Sequence, residues 1–174
     1  MGKRKQIILL LSSLAVVLLL TASITGIMLD DNGNPYQYVS IRGETVEIYG
    51  GEGLYQHDNT YKAVAFRSFD WVNLIIVLPL FFLGIYYYQQ ERFRGQLLLA
   101  ANFTYLAYIY LIGVMGNAFN IMFLVWTALF SIGLFGVFLT VTQMDIATVP
   151  DKLKTNFPRK GLAVYVILLG LVLL

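Results

Sequence analysis

The chain has no cysteine, which removes disulfides, thiolate metal sites, thiol redox chemistry and a lipid-modified anchor cysteine. It has a single histidine, His57, so a bis-histidine haem supplied by this chain alone is excluded. Charge is also scarce. Only 13% of the 174 residues are Asp, Glu, Lys or Arg, against roughly a quarter in soluble domains of average usage. With a mean hydropathy of +0.69, the expected solvent is a bilayer. The spans outlined below have no ionisable residue in their interiors, so they lack the intramembrane charges of proton relays and ion-coupled carriers. They also lack the paired aspartates or His-Glu-x-x-His of intramembrane proteases. No catalytic residue, cofactor or metal is expected, and no nucleic-acid partner.

What is present is a series of apolar runs joined by short connections. Lys3-Arg4-Lys5 precedes Ile7 to Leu29, a run without charge. It exceeds the roughly 7–15 residues of a signal-peptide core and is long enough to span, so an uncleaved signal-anchor helix is expected. At the 100° step of a helix, Ser12, Ala15, Leu19, Ala22, Ser23 and Gly26 share one stripe. Small residues let backbones approach closely in lipid, which makes this the face expected to pack inward.

Further spans are expected over residues 71–88, with a kink at Pro79, and over 96–115 and 119–141. A tight hairpin at Gly116-Asn117-Ala118 joins the last two. Residues 161–174 are apolar but too short at roughly 21 Å for a ~30 Å core, and read as an incomplete fifth span of a longer protein. The fold class is therefore an all-α membrane protein: four full spans and a truncated fifth, forming a single membrane domain over residues 1–174.

Lys and Arg set the orientation. Residues 3–5, 89–95 and 142–160 hold nine of the twelve. The positive-inside rule places these segments and the N-terminus in the cytoplasm, and residues 30–70 outside. That loop holds seven of the ten acidic residues. Tyr38-Val39-Ser40-Ile41 and Thr45-Val46-Glu47-Ile48 alternate apolar and polar residues about Arg42-Gly43-Glu44, the pattern of a small extracytoplasmic β-hairpin. A lone hairpin is marginal in water, so it should lean on the helix ends or on a partner. Gly50-Gly51-Glu52-Gly53 reads as a flexible turn. It has neither the lysine nor the strand–loop–helix setting of a phosphate loop. Glu52, His57 and Asp58 have ligand chemistry without a ligand spacing, and read as a solvated cluster. Asp58, Asn59 or Thr60 can cap a helix that continues into the second span.

Neutral polar groups form two stripes. Asn102, Tyr105 and Tyr108 share one face of the third span, and Asn117, Asn120, Thr127 and Ser131 one face of the fourth. An antiparallel hairpin would set Asn102 level with Ser131 and Tyr105 level with Thr127, so hydrogen bonds between the stripes are expected. Asp70, Asn73, Asn117 and Asn120 should lie at similar depth with Arg67 above them. These five are the candidate ligand-binding residues, a polar mouth beneath the loop.

The run Arg42-Gly43-Glu44-Thr45-Val46-Glu47-Ile48-Tyr49-Gly50, then Gly53-Leu54-Tyr55, Asp58, Asp70 and Pro79, resembles uncharacterised bacterial multi-pass membrane proteins with a short outer loop before the second helix. The resemblance extends through the Tyr105 to Asn120 region. It implies a bacterial inner membrane and carries no activity. The expected function is non-enzymatic: an integral membrane protein whose outer loop senses, binds or assembles with a partner. Besides the lipid bilayer, a protein partner would meet that loop or an exposed helix face. The alternative is a facilitated small-solute transporter, or a component of one, using the polar stripes of the third and fourth spans.

Overall fold

Helix α1 (Lys3–Met28) buries Ile8, Ser12, Ala15, Leu19, Ala22, Ser23 and Gly26, which is the small-residue stripe of the sequence with Ile8 added at its start. In this computed structural model, residues 2–29, 31–145 and 159–172 are described. Residues 1–144 make one unit and 145–174 a second, and each is taken by itself.

In the first unit, strands β1 (Tyr36–Val39) and β2 (Thr45–Ile48) follow α1. A long helix then runs in three pieces: α2 (Thr60–Val72), a π-helical turn over Asn73–Val77, and α3 (Leu78–Gln89). Helices α4 (Phe93–Gly116) and α5 (Phe123–Thr142) complete it. Among the described residues, four helices are long and apolar enough to cross a membrane: Lys3–Met28, Thr60–Gln89, Phe93–Gly116 and Phe123–Thr142. The chain is a mostly helical, multi-pass membrane protein by this criterion.

Helix α4 packs against both α3 and α5, and α1 closes the bundle against α2, α3 and α5. Close approach of α4 and α5 depends on Gly133, where a Cβ would stand 2.5 Å from the Ala107 nitrogen. Phe81 and Phe103 meet edge to face at 5.6 Å in the interior. With Leu99, Leu106 and Leu129, which are also fully buried, they form an apolar core. At one end of the bundle Lys5 bridges to Glu91 at 2.9 Å, and its ammonium holds the Glu91 carboxyl below the usual range. The two strands lie beyond the other end of α1, called the loop side below.

The second helix keeps its expected capped entry at Thr60, where the Asn59 side chain accepts the Lys62 amide at 2.8 Å. The fourth begins at Phe123 rather than 119. Asn120 takes the Met122 amide on its side chain at 2.9 Å and the Phe123 amide on its carbonyl at 3.1 Å, so residues 117–122 form a connection instead of a tight hairpin. Pro79 sits just past the π turn, in which the Leu78 amide reaches the Asn73 carbonyl. The wider turn precedes the residue that lacks an amide proton.

The hairpin is antiparallel, pairing Tyr36 with Ile48 and Val39 with Thr45. Its first strand thus starts two residues earlier than the alternation suggested, and its turn spans Ser40 to Glu44. It leans on a helix end through its second strand, where Ile48 bridges to Asn59, the cap of α2, while all four residues of β1 are exposed. The segment after it is buried instead, at Tyr49, Leu54 and Tyr55. Nor is the glycine run a loose turn. The Asp31 carboxylate accepts the Glu52 amide at 2.8 Å and the Gly33 amide at 3.0 Å. Gly50, at φ +67°, packs where a Cβ would lie 2.2 Å from the Asn34 carbonyl oxygen.

The second unit contains one described helix, α6 (Arg159–Val172). The expected incomplete span at 161–174 falls largely on it. Residues 173–174, and 146–158 of the expected connector, lie outside the described residues.

Candidate functional site

Sequence spacing placed Arg67, Asp70, Asn73, Asn117 and Asn120 in one mouth. The structure separates them into three places on the loop side. Arg67 donates to the Asn32 side chain at 3.0 Å, facing the segment that leaves α1.

Asp70 and Asn73 come together in a buried polar knot. Asp70 is 5% exposed and Asn73 1%. The Tyr55 hydroxyl donates to Asp70 at 2.6 Å, and Ser23 of α1 also reaches that carboxylate. The Asn73 amide donates to the Ser23 hydroxyl at 3.2 Å and to the Tyr110 hydroxyl at 3.4 Å, while its oxygen accepts from Tyr105 at 2.8 Å. The knot thus ties α1, the loop, the α2–π junction and α4 through one face. Gly26 makes room for it, since a Cβ there would lie 2.0 Å from an Asp70 carboxylate oxygen. Burial and the neighbouring Asp70 carboxylate push the Tyr55 hydroxyl well above its usual range. It therefore stays protonated and serves as the donor.

Three aromatic rings carry the loop above this knot. Tyr55 stacks on Trp126 at 6.2 Å, Phe66 stacks on Trp126 at 5.9 Å, and Tyr55 meets Phe66 at 6.4 Å. Tyr55 thus has its ring in an aromatic cluster and its hydroxyl in the polar knot.

Asn117 and Asn120 belong to a separate seam between the helix cap and the α4–α5 connection. The Ala118 amide donates to the Asp58 carboxylate at 2.7 Å, and the Lys62 ammonium to the Gly116 carbonyl. Burial raises the Asp58 carboxyl, against the lowering pull of the Ala118 amide, Lys62 and His57. The second Asp58 oxygen, the Thr60 hydroxyl, both Asn117 side-chain atoms and the Asn120 amide nitrogen are buried without a protein partner. Such a run of polar atoms is where internal water belongs.

Beside the seam an open cleft of about 560 Å³ is walled by three segments. Met28 and Leu29 come from the end of α1, and Phe119, Asn120 and Ile121 from the α4–α5 connection. The floor and far wall come from the loop, with Asp31, Glu52, Gln56 and His57 supplying its polar groups and Leu54 a buried apolar one. Met28, Phe119 and Ile121 are each more than three-quarters exposed.

The expected hydrogen bonds between the polar stripes of α4 and α5 do not form. Thr127 donates to the Phe123 carbonyl and Ser131 to the Thr127 carbonyl, both at 2.9 Å and within α5. Tyr105 turns to Asn73, and Tyr108 is 61% exposed. Asn102 is buried, and its amide nitrogen has no partner.

Ser23, Tyr55, Tyr110 and Trp126 escaped sequence reasoning as site residues. Ser23 lay on the inward stripe of α1, which was a usable signal. The chain matches no protein-family profile, no curated protein and no solved structure.

Proposed function

We propose that this protein is a non-enzymatic multi-pass membrane protein whose loop-side element binds a ligand or partner at the cleft, with the helical bundle as its anchor. The observation that carries the proposal is the contrast between two regions. The cleft combines carboxylates, an imidazole and exposed apolar side chains. The bundle below it is closed by Phe81, Leu99, Phe103, Leu106 and Leu129, all at zero exposure. Variety of this kind around a cavity of ligand size marks a recognition site. The same apolar closure argues against a solute path along α4 and α5, because Thr127 and Ser131 bond within α5 and Tyr105 is taken up by Asn73.

The setting proposed with it is a bacterial inner membrane, with α1 an uncleaved signal anchor, the N-terminus cytoplasmic and the loop outside. Its support is the distribution of Lys and Arg. Residues 3–5 and 89–95 meet at one end through Lys5 and Glu91.

A photoreactive residue at Ile121, 78% exposed on the cleft rim, tests the binding reading against one at Leu134, 52% exposed on α5. In native membranes the Ile121 probe should yield one discrete adduct, whereas Leu134 should yield the mixture expected of bulk lipid. Identical adduct profiles at the two positions would count against a binding cleft.

A further inference from the structure

We infer that the cleft receives the headgroup of an aminophospholipid, with its primary ammonium on the loop carboxylates and its acyl chains along the apolar rim. This rests on the binding reading and names its ligand class. Two independent features converge on it.

The first is where the rim stands. Met28 and Leu29 end a membrane-length helix, while Phe119 and Ile121 directly precede another. All four are at least half exposed. Apolar side chains at helix ends lie at the boundary between acyl chains and headgroups, so a lipid can enter this cleft sideways without leaving the bilayer.

The second is the chemistry of the wall. Among the described residues the cleft is lined by two carboxylates, Asp31 and Glu52, and by no Lys or Arg, which favours a cationic group. Glu52 is exposed on the cleft. Asp31 adds a second negative charge. Its two backbone hydrogen bonds hold its carboxyl below the usual range and fix the Glu52 backbone beside it. Gln56 adds a carbonyl acceptor. A primary ammonium has three N–H donors for such oxygens. A quaternary ammonium has none and is held by aromatic cages, and among the described residues Phe119 is the one Phe, Tyr or Trp lining this cleft. An anionic headgroup without an ammonium would meet the carboxylates unfavourably. The phosphate of an aminophospholipid has a donor within the same wall, the His57 imidazole.

The test uses the full chain, purified in detergent and delipidated. It is offered equal amounts of dioleoyl phosphatidylethanolamine, phosphatidylcholine and phosphatidylglycerol, and bound lipid is read by native mass spectrometry. Phosphatidylethanolamine should be retained in preference to both others. Glu52→Gln keeps the backbone contact and should reduce that retention by about tenfold, the loss of one charge-assisted hydrogen bond. Tyr108→Gln, on the exposed face of α4, should leave it unchanged. Equal retention of all three lipids, or an unaltered preference in Glu52→Gln, overturns the lipid assignment. If the Ile121 probe then still traps one discrete adduct of another mass, the binding reading stands and only its ligand falls. If it traps none, both fall.

Discussion

The Tyr55 hydroxyl donates to Asp70 across a distance of 2.6 Å, from the loop into a helix fifteen residues further along the chain. This contact joins the soluble-side segment to the bundle interior. Burial and the adjoining carboxylate keep the phenol protonated, so the direction of the bond is fixed.

Tyr55→Phe isolates that bond, because the ring can still stack on Trp126 and Phe66. Leaving a buried carboxylate oxygen without its donor is expected to cost about 1–3 kcal/mol, read as a lower unfolding temperature in detergent. Asp70→Asn should also lower it. The Tyr55→Phe/Asp70→Asn pair should be less destabilised than the two single changes combined, since one removes the donor and the other exchanges the charged acceptor for a neutral one in the same hydrogen bond. Strict additivity would mean the two side chains do not act together.

Gly26 supports the same knot by having no side chain. A Cβ there would stand 2.0 Å from the Asp70 carboxylate and 3.0 Å from the Tyr55 hydroxyl. Gly26→Ala should therefore push α1 away from α2, at about 1–3 kcal/mol for overpacking. Gly2→Ala, with nothing within 4 Å, serves as the silent control. Equal thermal stability of the two variants would contradict the packing described.

How far the sequence foretold this arrangement follows from the range of each interaction. Helices and the inward stripe of α1 were readable because composition and a 100° step report directly on burial. The capping by Asn59 was readable for the same local reason. The polar contacts were not. Thr127 and Ser131 each had a choice between a neighbouring helix and the carbonyl four residues back, and the local option won. Tyr55 lay in a loop without periodicity, so nothing in the spacing pointed it at Asp70. The site was legible as a neighbourhood and not as a set of partners: Asp70 and Asn73 did meet, whereas Arg67, Asn117 and Asn120 found other company.

Two loop carboxylates should respond to acid with opposite signs. Burial raises Asp58, so the folded state binds its proton more tightly than the unfolded chain. Stability should rise as the pH falls through its folded value, with the gain complete below the ordinary 3.8. Asp31 is held below 3.8 by the Glu52 and Gly33 amides. Its contribution is full above that value and is lost as the pH falls through the lower folded one. Mild acidification from neutrality should therefore raise the unfolding temperature. Asp58→Asn should reduce that rise while keeping the contact, because its remaining oxygen can still accept the Ala118 amide. At more acid pH, the protection of the Glu52 and Gly33 amides relative to their intrinsic exchange rates should fall in both proteins. A rise undiminished in Asp58→Asn would assign it to another group.

The absence of cysteine makes the proposed orientation directly measurable, since any introduced thiol is the only one. Ile41 at the hairpin turn is fully exposed, and Glu91 at the opposite end is 80% exposed in its side chain. In intact cells a membrane-impermeant maleimide should label Ile41→Cys and leave Glu91→Cys unmodified until the membrane is permeabilised. Glu91→Cys removes the bridge to Lys5, whose ammonium keeps its bond to the Gln89 carbonyl at 3.1 Å, so the fold should tolerate it. Arg94→Cys gives the same readout with that bridge intact. Labelling of position 91 or 94 in intact cells, with position 41 protected, would invert the orientation. It would also place the cleft and its carboxylates against the cytoplasmic leaflet.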